Sequence, residues 1–399
     1  MNSSPSYWRI FLVLSGLAIL SPLALDTFLP AVDDAAKSLN TNIGNIMISF
    51  GVLSVGIALG QIIHGPLSDR YGRKPIVVWG LIFYMMSSLL TPFVLSIELL
   101  YNLRFIQGLA VAATMIVMRS IVRDLFSVKE GAKLFANLFV ILAIIPIIGP
   151  IIGGHLTIWF GWQSVFFLMA GISAIVLLTT VVLFEESLPK KDPDALKLNK
   201  LLSNFNEIIT ERNFLTFLLI GVGAYAGLYG VITGIAPVMT GLLRQQANVF
   251  GYQFAAIMIG HFISAAIAGK LVHILGIKKL LFIGTLISMI GGLLLIGASL
   301  LGIITIYSIL IPSTIFLLGF ALTIPGMTAG ALSNFQHMAG RATSLLGFIQ
   351  HGTGAFVSIT LGYIADGSTS MPMAIAIAVA SLFAFISFII RIPRTILKA

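Results

Sequence analysis

Twelve apolar runs follow one another along the chain, each near the ~20 residues that an α-helix needs to cross a bilayer, and short polar breaks separate them. The first six cover approximately residues 8–30, 43–64, 76–95, 99–122, 134–156 and 162–184. The last six cover approximately 214–240, 249–272, 279–300, 302–324, 342–364 and 371–391. Between the two sets, Glu185 to Asn213 is rich in Glu, Asp and Lys and reads as a solvated linker with room for a surface helix. The pattern predicts an all-α integral membrane protein whose twelve transmembrane helices form two six-helix, pseudo-symmetric bundles, residues 1–184 and 214–399, joined by a cytoplasmic linker at 185–213. The first apolar run ends in Leu29-Pro30 rather than in a small-residue cleavage site, so it reads as a retained helix and not as a signal peptide.

One polar break differs from the rest. Gly65-Pro66-Leu67-Ser68-Asp69-Arg70-Tyr71-Gly72-Arg73-Lys74-Pro75 is a charged island between two spans, and it predicts a tight turn. Its glycines permit the chain to reverse, and its bases hold the turn on the cytoplasmic side. After 204 residues the rhythm returns as Gly269-Lys270-Leu271-Val272-His273-Ile274-Leu275-Gly276-Ile277-Lys278, with the glycines again seven apart, which implies an internal duplication. In that second copy His273 stands for Asp69 and Ile277 for Arg73, so any ionic contact made by the first copy is weakened in the second.

Composition agrees with the membrane reading: 58% of residues are hydrophobic, 9% are charged, and mean hydropathy is +1.05. The net charge of +9 raises the possibility of a nucleic-acid partner, but the distribution of the bases argues against it. With the N-terminus in the cytoplasm, all 23 Lys and Arg residues fall on that side except Lys37 and Arg244 outside and Arg104 within the fourth span. A miscounted helix would have scrambled that parity. The assignment counts Arg119 and Arg123 with the inner end of the fourth span, and Arg394 and Lys398 with a cytoplasmic C-terminus. The chain has no cysteine, which excludes disulfides and thiolate metal sites.

Four stretches permit a family resemblance. The island, as G-x-L-S-D-R-x-G-R-K, resembles the signature between the second and third helices of the major facilitator superfamily. Leu25-Asp26-Thr27-Phe28-Leu29-Pro30, Leu103-Arg104-Phe105-Ile106-Gln107-Gly108 and Gly149-Pro150-Ile151-Ile152-Gly153-Gly154 resemble elements in the first, fourth and fifth helices of its twelve-helix drug/proton antiporters. The stretch from Phe335 to Gln350 is similar to the bicyclomycin/chloramphenicol resistance branch. The resemblance implies a monomer in the bacterial inner membrane, with both termini cytoplasmic, that exchanges protons for small amphipathic compounds.

The residues also carry a physical reading of their own. Asp26 is the one acid of 14 that falls inside a span. A carboxylate at bilayer depth costs about 3 kcal/mol on insertion scales, so it normally faces a cavity and marks a pathway. Burial penalises its charged form, which suits a group that takes up and releases a proton. The alternative is that Asp26, four positions before Pro30, is an interfacial residue near the outer surface. Arg104 is the matching base, either placed beside the cavity with Gln107 and backbone carbonyls as partners, or snorkelling to the outer headgroups.

In the island, Gly65 and Gly72 shape the turn, Asp69 is expected to meet the first turn of helix 11 near Gly340, and Arg70 and Arg73 are expected to pair with Asp124. Together these contacts would latch the bundles in one conformation; a turn that only sets topology is the alternative. Gly149, Pro150, Gly153 and Gly154 remove bulk and kink helix 5, letting a neighbour approach. Candidate substrate contacts are Met115, Tyr225, Tyr229 and His351, and His261 and His351 could titrate. A cavity with a single acid suits neutral or cationic amphiphiles.

Two functions stay open: a proton-driven exporter of varied toxic compounds, and a dedicated exporter of one metabolite such as a siderophore. An enzyme finds no support, since H-E-x-x-H and G-x-S-x-G are absent from the sequence. G-x-x-x-x-G-K-[ST] is absent too, which disfavours a nucleotide-driven pump and leaves an ion gradient as the energy source, with no cofactor or metal expected.

Overall fold

The computed structural model describes residues 7–335 and 338–392; Arg394 and Lys398 lie outside the described residues. Its helices are α1 (Tyr7–Asp26), α2 (Val32–Ser38), α3 (Ile43–Tyr71), α4 (Arg73–Leu90), α5 (Ile97–Leu125), α6 (Val128–Phe160), α7 (Gln163–Leu183), α8 (Leu198–Thr210), α9 (Arg212–Ala236), α10 (Ala247–Leu300), α11 (Ile306–Leu332), α12 (Ala339–Ile364) and α13 (Met371–Arg391). Among the described residues ten helices are long and apolar enough to cross a bilayer; dividing α10 at Gly276 and adding the 26-residue α12 brings the spans to twelve. α1 and α2 are joined by the 3-10 turn Leu29–Ala31 into one span, the 54-residue α10 is two spans, and α8 lies in the linker. Large apolar side chains such as Phe139, Leu178, Phe356 and Ile390 remain exposed on the outside, an arrangement suited to lipid rather than water.

Most helices run several residues past the apolar windows, because those windows measure only the hydrocarbon-facing part. The island shows this most clearly. Gly65 and Pro66 were expected in the turn, yet α3 continues through both to Tyr71, and the reversal is made at Gly72 alone, with φ 113° and ψ 160°. Gly276 repeats that backbone with φ 76° and ψ 159°, and it divides α10 into its two spans. At each position an L side chain would be strained, so the recurring glycine is a requirement of the fold. α6 likewise carries Pro146 and Pro150 inside one continuous helix from Val128 to Phe160.

The end of the molecule where α3 turns into α4 is here called the basic end, and its opposite the distal end. The two bundles meet along two seams. In the first, α3 lies against α12 over its length: Gly44 faces the Gly362 carbonyl, Gly51 faces Ala355 and Ile359, Gly347 faces the Gln61 side chain, and Gly65 approaches Ser344. From Gly44 to Gly65 that is about 32 Å of helix. In the second, α6 meets α10 through Gly154 against the Ala247 backbone and Gly251 against the Pro150 carbonyl, with a hydrogen bond of 3.0 Å between His155 Nε2 and Tyr252 Oη. Those contacts all lie toward the distal end, where Gly241 also closes on Gly367 and Ile43. In the linker, Phe205 of α8 packs against a cluster that includes Phe214, Phe335 and Leu345, so α8 rests on the second bundle.

Candidate functional site

Asp26 is the last residue of α1, where the helix gives way to the Leu29–Ala31 turn before resuming as α2. It is 6% exposed, and the span runs on to Ser38, about 18 Å further, so the interfacial alternative does not hold. Among the described residues no hydrogen bond or ion pair reaches its carboxylate. The break that presents Asp26 is clamped from α6. Gly149 lies beside the Thr27 hydroxyl, and Gly153 lies so close to the Thr27 carbonyl that no Cβ fits there. Phe28 anchors the other side of the turn, packed on Phe50 and Phe166 with ring centroids at 5.5 and 4.8 Å.

Arg104 is fully buried on α5 and does not pair with Asp26 among the described contacts. Its guanidinium donates through both terminal nitrogens to the Ala24 carbonyl at 3.0 Å and to Gln107 Oε1 at 2.7 Å. The rings of Phe28, Phe50 and Phe166 surround it at 5.2–5.7 Å from their centroids. Ala24 is in the last turn of α1, whose carbonyls lack a following turn to bond, so Arg104 caps the helix two residues before Asp26. Arg104→Met should therefore cost about 2–3 kcal/mol, from the orphaned carbonyl and the lost ring contacts. Thermal unfolding in detergent checks this: a melting temperature lowered by several degrees is expected, with Arg104→Lys recovering only part because it lacks the fork.

The candidate substrate contacts converge between the bundles. The Tyr229 hydroxyl and His351 Nδ1 share a hydrogen bond of 2.9 Å, and the Tyr225 and His351 rings are 6.3 Å apart. Tyr229 also contacts Ser54 of α3 and lies within electrostatic reach of Asp26. Gln61 Nε2 approaches the Met115 sulfur at 3.8 Å, which ties α5 to the α3–α12 seam. His261 stacks on Phe320 at 5.7 Å, and Phe320 meets Tyr225 at 5.6 Å. Arg119 joins the same group, interacting electrostatically with Tyr225 and His351, although its bases-per-side assignment had put it with the inner surface. Its position four residues after Met115, on the same face of α5, was the available signal.

The island's charges stay within the first bundle and the linker. Arg73 binds Asp124 at 2.9 Å, Asp69 at 2.6 Å and the Ser68 hydroxyl at 2.7 Å. The expected contacts of Asp69 with α12 and of Arg70 with Asp124 are not among the described ion pairs and hydrogen bonds. Asp69 is taken up by Arg73, and the guanidinium of Arg70 lies 5.5 Å from the Tyr71 ring. The nearest approach to Gly340 comes instead from the Arg123 guanidinium. Glu186 accepts hydrogen bonds from the backbone N–H groups of Arg73 and Lys74, and the Asp69 carbonyl accepts from the Asp192 N–H, so the linker straps the turn at the start of α4.

At the distal end a groove of about 700 Å³ is lined by Asp33, Asp34, Lys37, Arg244 and Gln245, and Asp33 and Lys37 pair along α2 on its wall. No group of three or more His, Cys, Asp and Glu residues suited to a metal ion occurs among the described residues.

The fold has close counterparts among solved structures. The D-xylose–proton symporter superposes with a TM-score of 0.70 over 95% of this chain and 97% of its own at 16% identity, and the nucleoside transporter NupG with 0.68 over 96% and 100% at 13% identity. At the sequence level the chain is 25% identical over 357 residues to the bicyclomycin resistance protein homolog of Haemophilus influenzae, covering 90% of this chain and 89% of that one. It is 23% identical over 353 residues to multidrug resistance protein D of Escherichia coli, covering 88% of each, and 26% identical over 360 residues to the chloramphenicol resistance protein of Pseudomonas aeruginosa, covering 86% and 83%. The family profile described as Major Facilitator Superfamily matches residues 14–359. A twelve-span fold with glycine-marked turns in both bundles, and a family match across most of its length, make this chain a member of the major facilitator superfamily, a membrane transporter and not an enzyme.

Proposed function

We propose that the protein is a proton-coupled antiporter that exports small amphipathic compounds across the bacterial inner membrane, with both termini cytoplasmic and a single chain as the working unit. The observation that carries this reading is Asp26: a buried carboxyl in the first span with no hydrogen-bond or ion-pair partner among the described residues, within electrostatic range of Tyr229 from the other bundle. A group placed there can hold a proton while the site is empty and lose it when a compound enters, which couples the two fluxes. The bundles 1–184 and 214–399 would rock about the site, and the contacts at the distal end support assigning this conformation to the state that opens toward the basic end. Resistance functions in the names of the relatives support drug-like compounds as substrates.

The test is proton release from purified, detergent-solubilised protein in weak buffer when chloramphenicol is added. About one proton per protein is expected, the linkage signature of one group whose protonation opposes binding. Binding without any proton release would sink the antiport reading.

A further inference from the structure

Three arginines of the first bundle sit in or beside its packed interior, and they differ in how their donors are used. The terminal nitrogens of Arg104 bond Ala24 and Gln107 and its face lies among three rings, and Arg73 is held by Ser68, Asp69 and Asp124. Arg119 is partly buried, six residues from the basic end of α5, and has no hydrogen bond or ion pair among the described contacts. A guanidinium carries five N–H donors and cannot shed its charge, so leaving it unpartnered inside a span is costly unless something else completes it.

The groups of the second bundle within electrostatic range of it are Tyr225 of α9 and His351 of α12, whose rings lie 6.3 Å apart. Neither is an anion. The Tyr225 hydroxyl makes no described hydrogen bond, and His351 uses only Nδ1, toward Tyr229, which leaves Nε2 free. The helix faces agree: Met115 and Arg119 lie one turn apart on α5, Tyr225 and Tyr229 on α9, and Gly347 and His351 on α12. Met115 and Gly347 both contact Gln61, so these faces converge on one space. Tyr229 is the member within reach of Asp26, about 6 Å of helix away from Tyr225.

We infer that Arg119, Tyr225 and His351 form an anion subsite in the transport site, so that preferred substrates carry a carboxylate on an apolar body and bind with that group toward the basic end. The inference rests on the efflux reading above and narrows its substrate class. It replaces the expectation of neutral or cationic amphiphiles with a polarised site, acid at Asp26 and base at Arg119.

The test is binding of two fluorescent probes with the same ring system, neutral dansylamide and the carboxylate dansylglycine, to the detergent-solubilised protein. Wild type should bind dansylglycine about tenfold or more tightly, the effect of a charge-assisted hydrogen bond to an arginine. Arg119→Gln should bring the two to parity by weakening dansylglycine alone, and Arg119→Lys should keep part of the preference. Unchanged dansylamide affinity in Arg119→Gln shows that the site has kept its shape, and Tyr225→Phe gives a second, smaller loss confined to dansylglycine. Equal signals from the two probes in wild type, including none from either, or a preference that survives Arg119→Gln, would overturn the subsite. The antiport reading is judged separately, on proton release and its dependence on Asp26.

Discussion

Asp26→Asn will abolish gradient-driven export and the proton release that accompanies chloramphenicol binding, while affinity for the compound stays within about threefold. The asparagine matches the protonated acid in shape and keeps a polar group at the end of α1, so the break between Asp26 and Leu29 survives. What disappears is the exchangeable proton. No described partner shares the charge of Asp26, so its removal orphans no base nearby. Transport into everted vesicles measures the first loss, expected to exceed about a hundredfold, and a pH indicator measures the second. Passive exchange of compound should persist, since on the proposed alternating-access cycle the substitution leaves both conformations open to the bundles. Continued proton release from the variant would transfer the coupling role to His351 or His261.

The second large effect is expected far from any charge. Gly153→Ala will lower the thermal stability of the protein and remove export, because the added methyl has no place against the carbonyl of Thr27. The obstacle is backbone, which cannot rotate aside as a side chain can, and overpacking of this kind typically costs about 1–3 kcal/mol. Thr27 follows Asp26 directly, so the displaced atoms are those that aim the carboxyl. Gly171→Ala is the matched control, since open space surrounds that position on α7. Unfolding temperatures and export should both be unchanged in the control; equal losses in the two variants would mean that glycine flexibility, and not the close approach, is what matters.

Much of this was visible in the amino-acid order, and for reasons that can be named. Spans are legible because hydrocarbon selects long apolar runs, and Gly72 and Gly276 because a left-handed turn admits little else. Asp26 stood out because acids are rare at that depth. Arg119 did not. Positive-inside counting sorts bases by distance along the chain, and a residue six positions from the end of α5 passes for part of the surface; only the face it shares with Met115 distinguishes it. The partners of Arg104 were hidden for another reason. Ala24 is 80 residues away in sequence, and the carbonyl it offers exists only because α1 stops where it does. Asp69 went to Arg73 rather than across to α12 because a neighbour four residues along the chain costs less entropy to hold.

The α3–α12 seam has a mechanical consequence. Glycines bring the two helices together from Gly44 to Gly65, backbone on backbone at Gly44 and Gly51 and against the Gln61 and Ser344 side chains further on, so prising them apart would forfeit close contacts along the length. The α6–α10 contacts, Gly154 on Ala247 and Gly251 on Pro150, gather at one end only. On the proposed rocking motion the first seam would be the axle and the second the door leaf: the bundles would roll on α3 and α12 while α6 and α10 swing. On that proposal a doorway opening between two membrane spans would face the hydrocarbon, and an oily compound dissolved in a leaflet would enter the site sideways without first passing through water.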